Sequence, residues 1–162
     1  RAGGMNEAIM LKTEDQDFAE LVTAVVDGQL FGLPIGRVLD VFVPSRLTRV
    51  PLAPYEIGGV LNLRGRIVTV IDLRRRLGLP DRKDDAAAMA IGIERAGEAY
   101  GLLVDAVGEV MRVADSIRTV NPVNLDPRFA EVSAGVYRLE NELLVVLDVD
   151  RVLGYSGAAK AA

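Results

Sequence analysis

The chain contains no cysteine, no histidine and no tryptophan. Without thiols there is no disulfide framework and no thiolate nucleophile, a composition that suits a reducing cytoplasm. Without imidazole the commonest general base is gone, and with both absent nearly every zinc or copper site goes as well. Aromatic residues make up only 5% of the 162 residues, so aliphatic side chains must fill the core. Positive charge is in deficit too: 19 Lys and Arg face 23 Asp and Glu, for a net charge of -4. That balance argues against general affinity for nucleic acid or an anionic membrane. No apolar run approaches the roughly 18 residues of a membrane span. The first residues, RAGGMNEAIM, lack the long apolar stretch of a secretory signal.

What the sequence does contain is a repeat. Gly59–Gly78, GVLNLRGRIVTVIDLRRRLG, returns 76 positions later as Gly135–Gly154, GVYRLENELLVVLDVDRVLG. The two share Gly59/Gly135, Val60/Val136, Leu63/Leu139, Val70/Val146, Asp72/Asp148, Arg75/Arg151, Leu77/Leu153 and Gly78/Gly154. Upstream, GQLFGL from Gly28 parallels GEAYGL from Gly97 at an offset of 69, and Val38, Asp40 and Arg49 face Val107, Glu109 and Arg118. The second copy therefore carries 7 extra residues, which the Pro-containing stretch NPVNLDPRFAEVS accommodates as a loop.

Each copy reads as β structure. Leu21–Val26 and Met89–Ile93 are short apolar runs, and Asp27-Gly28 signals a tight hairpin. Ile67–Ile71 and Leu143–Leu147 are nearly continuous aliphatic runs, too short for a buried helix. Gly65 and Asn141 hold equivalent turn positions and both tolerate positive φ, so both copies are expected to share one hairpin geometry. Asp72 and Asp148 then stand as helix N-caps, with Gly78 and Gly154 closing the helices. If capping is their whole role, Asn serves as well as Asp at both positions. Arg74–Arg76, with Arg82 and Lys83, read as a solvated helix end.

A unit of about 65 residues would bury only about 60% of its unfolded surface and be marginal alone. The expected fold is therefore all-β: two pseudo-symmetric five-stranded small β-barrel subdomains sharing a hydrophobic core, with short helices. The subdomains are placed roughly at 18–82 and 84–155, a crossover of the chain between them being left open. Residues 81–88 connect the halves, and 1–17 and 156–162 are expected to be flexible.

The search for chemistry finds little. Asp72 and Asp148 are symmetric, as a catalytic carboxylate dyad would be, but the small hydroxyl and Gly residues that usually follow such an Asp are missing. There is no phosphate-binding loop, no dinucleotide fingerprint, no calcium loop and no metal-ligand pattern. The arginine cluster lacks the interleaved aromatics of a nucleic-acid surface. A stable globular chain without catalytic groups works by binding.

The stretch GGVLNLRGRIVTVIDLRRRLG (Gly58–Gly78), with FGLPIGRVLDV from Phe31 and YGLLVDAVGEV from Tyr100, resembles the CheW-like family of bacterial chemotaxis. The resemblance runs from about Ala19 to Tyr155. Its most specific part is the Asn62-Leu63-Arg64-Gly65 hairpin followed by an Ile-Val strand and Asp72-Leu73-Arg74. The family commonly has Pro where Thr69 stands; Thr is a good strand residue and restores an N–H.

The resemblance implies two five-stranded barrels around a common core and no catalytic activity or cofactor. It implies a cytoplasmic adaptor, monomeric when free, that couples chemoreceptor tips to the histidine kinase CheA in membrane-associated arrays. The same domain occurs within CheA and CheV; this chain shows no kinase region and no receiver domain, as in a stand-alone coupling protein. The receptor-binding residues it implies are Ile35, Val38, Asp40, Arg64, Met89, Gly101 and Val107. Arg64 has the strongest claim, because a hairpin-tip Arg is expensive to bury and its repeat mate, Glu140, has opposite charge. Kinase contacts are implied at Thr48, Arg49, Ile57 and Gly59, with a second contact near Arg118 and Val123. A tandem-barrel nucleic-acid-binding module is the competing class, and acidity counts against it. An enzyme comes third.

Overall fold

The computed structural model describes residues 18–83, 88–119, 121–122 and 124–154. The segments 1–17 and 156–162 lie outside these, as do 84–87 of the connection. The first copy supplies β1 (Phe18–Val26), β2 (Gln29–Pro34), β3 (Val38–Phe42), β4 (Ile57–Leu63), β5 (Arg66–Asp72) and α1 (Leu73–Arg76). The second supplies β6 (Met89–Arg95), β7 (Glu98–Val104), β8 (Ala106–Ala114), β9 (Arg118–Thr119), α2 (Pro127–Ala130), β10 (Ser133–Arg138), β11 (Leu143–Leu147) and a helix, α3, over 149–154.

The two copies exchange strands. One sheet runs β8-β1-β2-β11-β10-β9 and the other β3-β6-β7-β5-β4. Replacing every strand by its repeat mate turns one order into the other, with the isolated Thr48–Val60 bridge standing for β9. The registers match as well. In the parallel ladders Val146 faces Gly32 and Val70 faces Gly101; in the antiparallel ones Gly135 faces Val146 and Gly59 faces Val70. Each sheet curls into a barrel-like unit of five strands, to which the two-residue β9 adds a sixth in one of them. The spans 18–82 and 84–155 thus each contribute strands to both sheets.

Side-chain alternation divides the core in three. On β5, Val68 and Val70 pack inside the five-stranded unit with Phe42 and Leu61, while Ile71 faces the shared core. On β11, Leu144 and Val146 pack with Leu21 and Tyr137, while Val145 and Leu147 face the shared core. Where both faces are buried a strand reads as a continuous apolar run rather than an alternating one, as at Val70-Ile71 and over Leu144–Leu147. The shared cluster takes Phe31 and Leu33 from one sheet and Ile91 and Leu102 from the other, all fully buried.

Three expectations about turns, loops and caps need correction. The two long hairpins differ: Arg64 and Gly65 have φ of 53° and 83°, whereas Asn141 is absent from the positive-φ residues. The second hairpin spans a four-residue loop closed by the Leu139 N–H donating to the Glu142 carbonyl at 2.9 Å, a length that needs no left-handed residue. The inserted stretch is not a plain loop. Asp126 caps α2 with Pro127 behind it, and the Phe129 ring packs edge-on against Phe31 at 5.3 Å. Gly154 is still helical and does not form a left-handed cap.

The ends of α1 show how its arginines are used. Asp72 accepts the Arg74 N–H at 3.0 Å, and Gly78 (φ 74°) closes a Schellman turn in which the Leu79 N–H donates to Arg74 and that of Gly78 to Arg75. Asp148 accepts the Arg151 N–H at 3.1 Å. Arg76 crosses to α3 and donates to the carbonyls of Val152 and Arg151, both at 3.0 Å. Arg128 returns the bond to the Gly78 carbonyl at 2.9 Å. The C-terminal ends of α1 and α3 are thus each met by an arginine that belongs to the opposite sheet's part of the chain.

Arg74 and Arg82 are not a solvated helix end; only Lys83 of that group is exposed. Arg82 has a side chain 6% exposed, paired with Asp72 (9%) at 3.1 Å and with Asp105 at 3.3 Å. Arg74 meets Asp105 through two bonds, at 2.9 and 2.7 Å. Asp105 also accepts the Asp27 N–H at 2.8 Å. Burial works to raise the Asp105 pKa, but the Arg74 bond, the Asp27 N–H and the charges of Arg74 and Arg82 outweigh it and hold it below its ordinary 3.8.

These contacts separate the two repeated aspartates. Asp72→Asn keeps the cap but removes one of the two carboxylates paired with the buried Arg82, an expected loss of about 2 kcal/mol. Asp148→Asn faces only the exposed Arg151 and should be almost silent. Urea unfolding of both variants checks this, and equal losses would contradict it. At Asp105 a lowered folded pKa means stabilisation that is complete above the unfolded value and lost as pH falls through the folded one. Acid unfolding of Asp105→Asn should therefore show a flatter stability profile below about pH 4 than the parent.

Candidate protein-interaction surfaces

The β4–β5 turn holds Arg64 in a left-handed conformation, fixed by the Gly65 N–H donating to Asn62 Oδ1 at 2.8 Å. The Arg64 side chain is 77% exposed, and its guanidinium approaches Asp40 on β3 only to 3.6 Å. Its neighbour Arg66 is fully committed, bonded to Glu94 at 2.7 Å and to the Gly97 carbonyl at 3.0 Å. A cleft of about 370 Å³ lies between β3 and this hairpin, lined by Leu39, Leu63, Val68 and Tyr100 together with Asp40 and the exposed Arg64. Asp40 lies across Gly92, where a Cβ would stand 2.1 Å from its carboxylate oxygen. Gly92 is therefore needed for the Asp40 side chain to lie where it does, a dependence that only the register of β3 on β6 reveals.

Not every residue of the implied receptor set lines this cleft. Val38 and Val107 are repeat mates at the starts of β3 and β8, half-buried against the shared core, and Met89 packs there too. Ile35 is exposed in the 3-10 turn Ile35–Arg37. Gly101 is buried, and a side chain there would meet the Phe42 ring at 3.1 Å, so it offers a partner no surface.

The implied kinase set gathers at the far edge of the same sheet. Thr48 and Val60 exchange two backbone hydrogen bonds of 2.8 and 2.9 Å. Gly59 (φ 148°) permits that approach, since a Cβ would fall 2.7 Å from the Thr48 carbonyl oxygen. Arg49 is exposed and has no hydrogen bond or ion pair among the described residues. Ile57 is half-buried against the shared core and, with Arg49, lines a groove of about 440 Å³ shared with Val50, Leu52 and Tyr55. Leu52 is wholly exposed and Tyr55 is 64% exposed beneath the stacked Arg75 guanidinium. The sequence reading missed these apolar loop residues. The signal was the VPLAPY run, whose two prolines deny it a strand partner and leave its side chains outside.

On the other sheet, the Arg118 guanidinium lies over Gly135 and donates to the Ala134 carbonyl, whereas Gly59 is covered by the backbone of Thr48. Val123 lies outside the described residues. The carboxylates of Asp72 and Asp148 are occupied by caps and arginines rather than facing each other. No cluster able to hold a metal ion occurs among the described residues, and no described helix is long and apolar enough to cross a membrane. Arg74, Arg75, Arg76 and Arg82 all have partners within the chain, which leaves no free basic cluster there for phosphates.

Comparison with known proteins agrees with this arrangement. The family model described as CheW-like domain matches residues 20–156. The chemotaxis protein CheW of Thermotoga maritima is 27% identical over 134 residues, covering 83% of this chain and 87% of that protein. CheW of Bacillus subtilis is 29% identical over 142 residues, covering 88% and 91%. The crystal structure of the scaffolding protein TtCheW from Thermoanaerobacter tengcongensis superposes with a TM-score of 0.72 at 29% identity, covering 80% of this chain and 88% of that one. With matched sequence over most of its length, the same fold and carboxylates taken up by caps and ion pairs, the chain belongs to the CheW-like family, the non-catalytic scaffold proteins of bacterial chemotaxis.

Proposed function

We propose that this protein is a cytoplasmic coupling adaptor, monomeric when free, that joins chemoreceptor tips to the histidine kinase CheA in membrane-associated arrays. The observation that carries the reading is the state of Arg64. It is an exposed guanidinium on a rigid turn, at the rim of an apolar cleft, with only one long ion pair of its own. Such a group offers several directed hydrogen bonds to a carboxylate or backbone carbonyl on a receptor helix. Asp40, Ile35, Val38, Met89 and Val107 surround or extend that face. The Thr48–Gly59 edge, with Arg49, Ile57, Leu52 and Tyr55, forms a second surface with different lining residues and is assigned to the CheA regulatory domain. Arg118 marks the corresponding edge of the other sheet, where a second kinase contact would close a ring. Two separate surfaces on one stable body are what an adaptor requires.

Arg64→Ala tests this. Surface substitutions away from special features change stability by about 0.5 kcal/mol. Loss of a central interface Arg costs about 2 kcal/mol of binding, roughly thirtyfold. The variant should melt like the parent and bind the CheA regulatory domain normally, while binding receptor tips about thirtyfold more weakly. Parent-like receptor binding by the folded variant would move the interface elsewhere.

A further inference from the structure

The chain passes between the two sheets at two places: the turn Ile35–Arg37, between β2 and β3, and the single residue Asp105, between β7 and β8. These passages are related by the repeat, Gly36 and Asp105 being 69 positions apart. They are held very differently. At the first, Arg37 and Arg95 share the Asp150 carboxylate of α3 at 3.1 and 3.4 Å, with side chains 36%, 41% and 59% exposed. Exposed pairs of this kind restrain little in water.

At the second passage all acceptor directions of one carboxylate are filled. Asp105 Oδ1 accepts from Arg74 Nε at 2.9 Å and Arg82 Nε at 3.3 Å; Oδ2 accepts from Arg74 Nη2 at 2.7 Å and from the Asp27 N–H at 2.8 Å. The Asp105 N–H itself donates to the Val25 carbonyl of β1 at 3.0 Å. Arg74 and Arg82 follow β5 of the five-stranded sheet, whereas Val25 and Asp27 belong to the β1–β2 hairpin of the other. Arg82 binds Asp72 with its two remaining nitrogens, at 3.1 and 3.3 Å, and so straps the segment after α1 across the joint. Planar guanidinium–carboxylate bonds fix direction as well as distance, and the Arg82 side chain is almost wholly shielded from water.

We propose that the Arg74–Asp105–Arg82 network is an inter-sheet clamp that sets the angle between the two sheets, and that Arg82 and Asp105 thereby act as positioning residues for the face built from both. Val38 follows the first passage directly and Val107 lies two residues beyond the second, so a change of angle moves one against the other. The Thr48, Arg49 and Leu52 edge belongs to one sheet and is insensitive to that angle. The binding half of this inference rests on the receptor assignment made above; the clamp itself does not.

Because the chain has no cysteine, Ile67→Cys on β5 and Val110→Cys on β8, at sites 61% and 52% exposed, give spin-label positions on opposite sheets. Pulsed electron spin resonance should give one narrow distance in the labelled parent and in the control Arg37→Gln. Arg82→Gln should broaden it. If the competent angle falls to about one molecule in ten, receptor-tip affinity falls about tenfold, with CheA binding unchanged. Asp105→Asn, nearly isosteric, carries the same expectation should Arg82→Gln fail to fold. An unchanged narrow distance in the folded variants would overturn the clamp. A broadened distance with parent-like receptor affinity would overturn the positioning role. A parent protein that binds no receptor tip would remove the receptor assignment, and the distance distributions would still decide the clamp.

Discussion

The two parallel ladders, β2 with β11 and β5 with β7, are the constraint on which the molecule depends. Each joins a strand from one copy of the repeat to a strand from the other. A copy on its own would hold a β1–β2 hairpin, a lone β3 and a β4–β5 hairpin, with no sheet to unite them. Exchange completes both sheets at once and turns their convex sides onto one aliphatic cluster. The scarcity of aromatics is tolerable for that reason. Strands buried on both faces supply three packed layers that are mostly Val, Leu and Ile, with Phe31, Phe42, Tyr100 and Tyr137 among them.

Symmetry of the backbone leaves the surfaces free to diverge. Arg64 and Glu140 are repeat mates with opposite charge, on turns of different length. Gly59 is covered by the backbone carbonyl of Thr48, whereas its repeat mate Gly135 is covered by the guanidinium of Arg118, a cation bonded to its own sheet. Arg74, beside a carboxylate at one passage, corresponds to Asp150, which faces arginines at the other. A duplicated frame of this kind gives one rigid body with non-equivalent faces, and an adaptor needs such faces to hold different partners. The empty chemical inventory of the sequence has the same meaning: the carboxylates and guanidiniums that are buried hold the frame together.

Much of this was legible in the chain before folding. The repeat, its offset, the buried strand runs and the Asp caps follow from local pattern, because hairpins and caps are decided by neighbouring residues. Strand exchange was not legible, since Val68–Ile71 pairs as well with a mate from its own copy as with one from the other. Arg82 was misread for a related reason. A cation beside a helix end looks solvated until the fold brings Asp72 and Asp105 around it. Asn141 tolerates a left-handed turn but is not required to adopt one, and the loop length decided against it. Leu52 and Tyr55 were the most recoverable omission, because two prolines had already excluded them from a strand.

The claim that strand exchange makes the molecule one cooperative unit is tested most directly by dividing it. Residues 18–82 and 84–155, produced separately, should each lack a cooperative thermal transition, because each holds only part of both sheets. Mixed at equal concentration, they should regain the single transition of the intact chain. A fragment that unfolds cooperatively by itself, at the temperature of the whole protein, would contradict it.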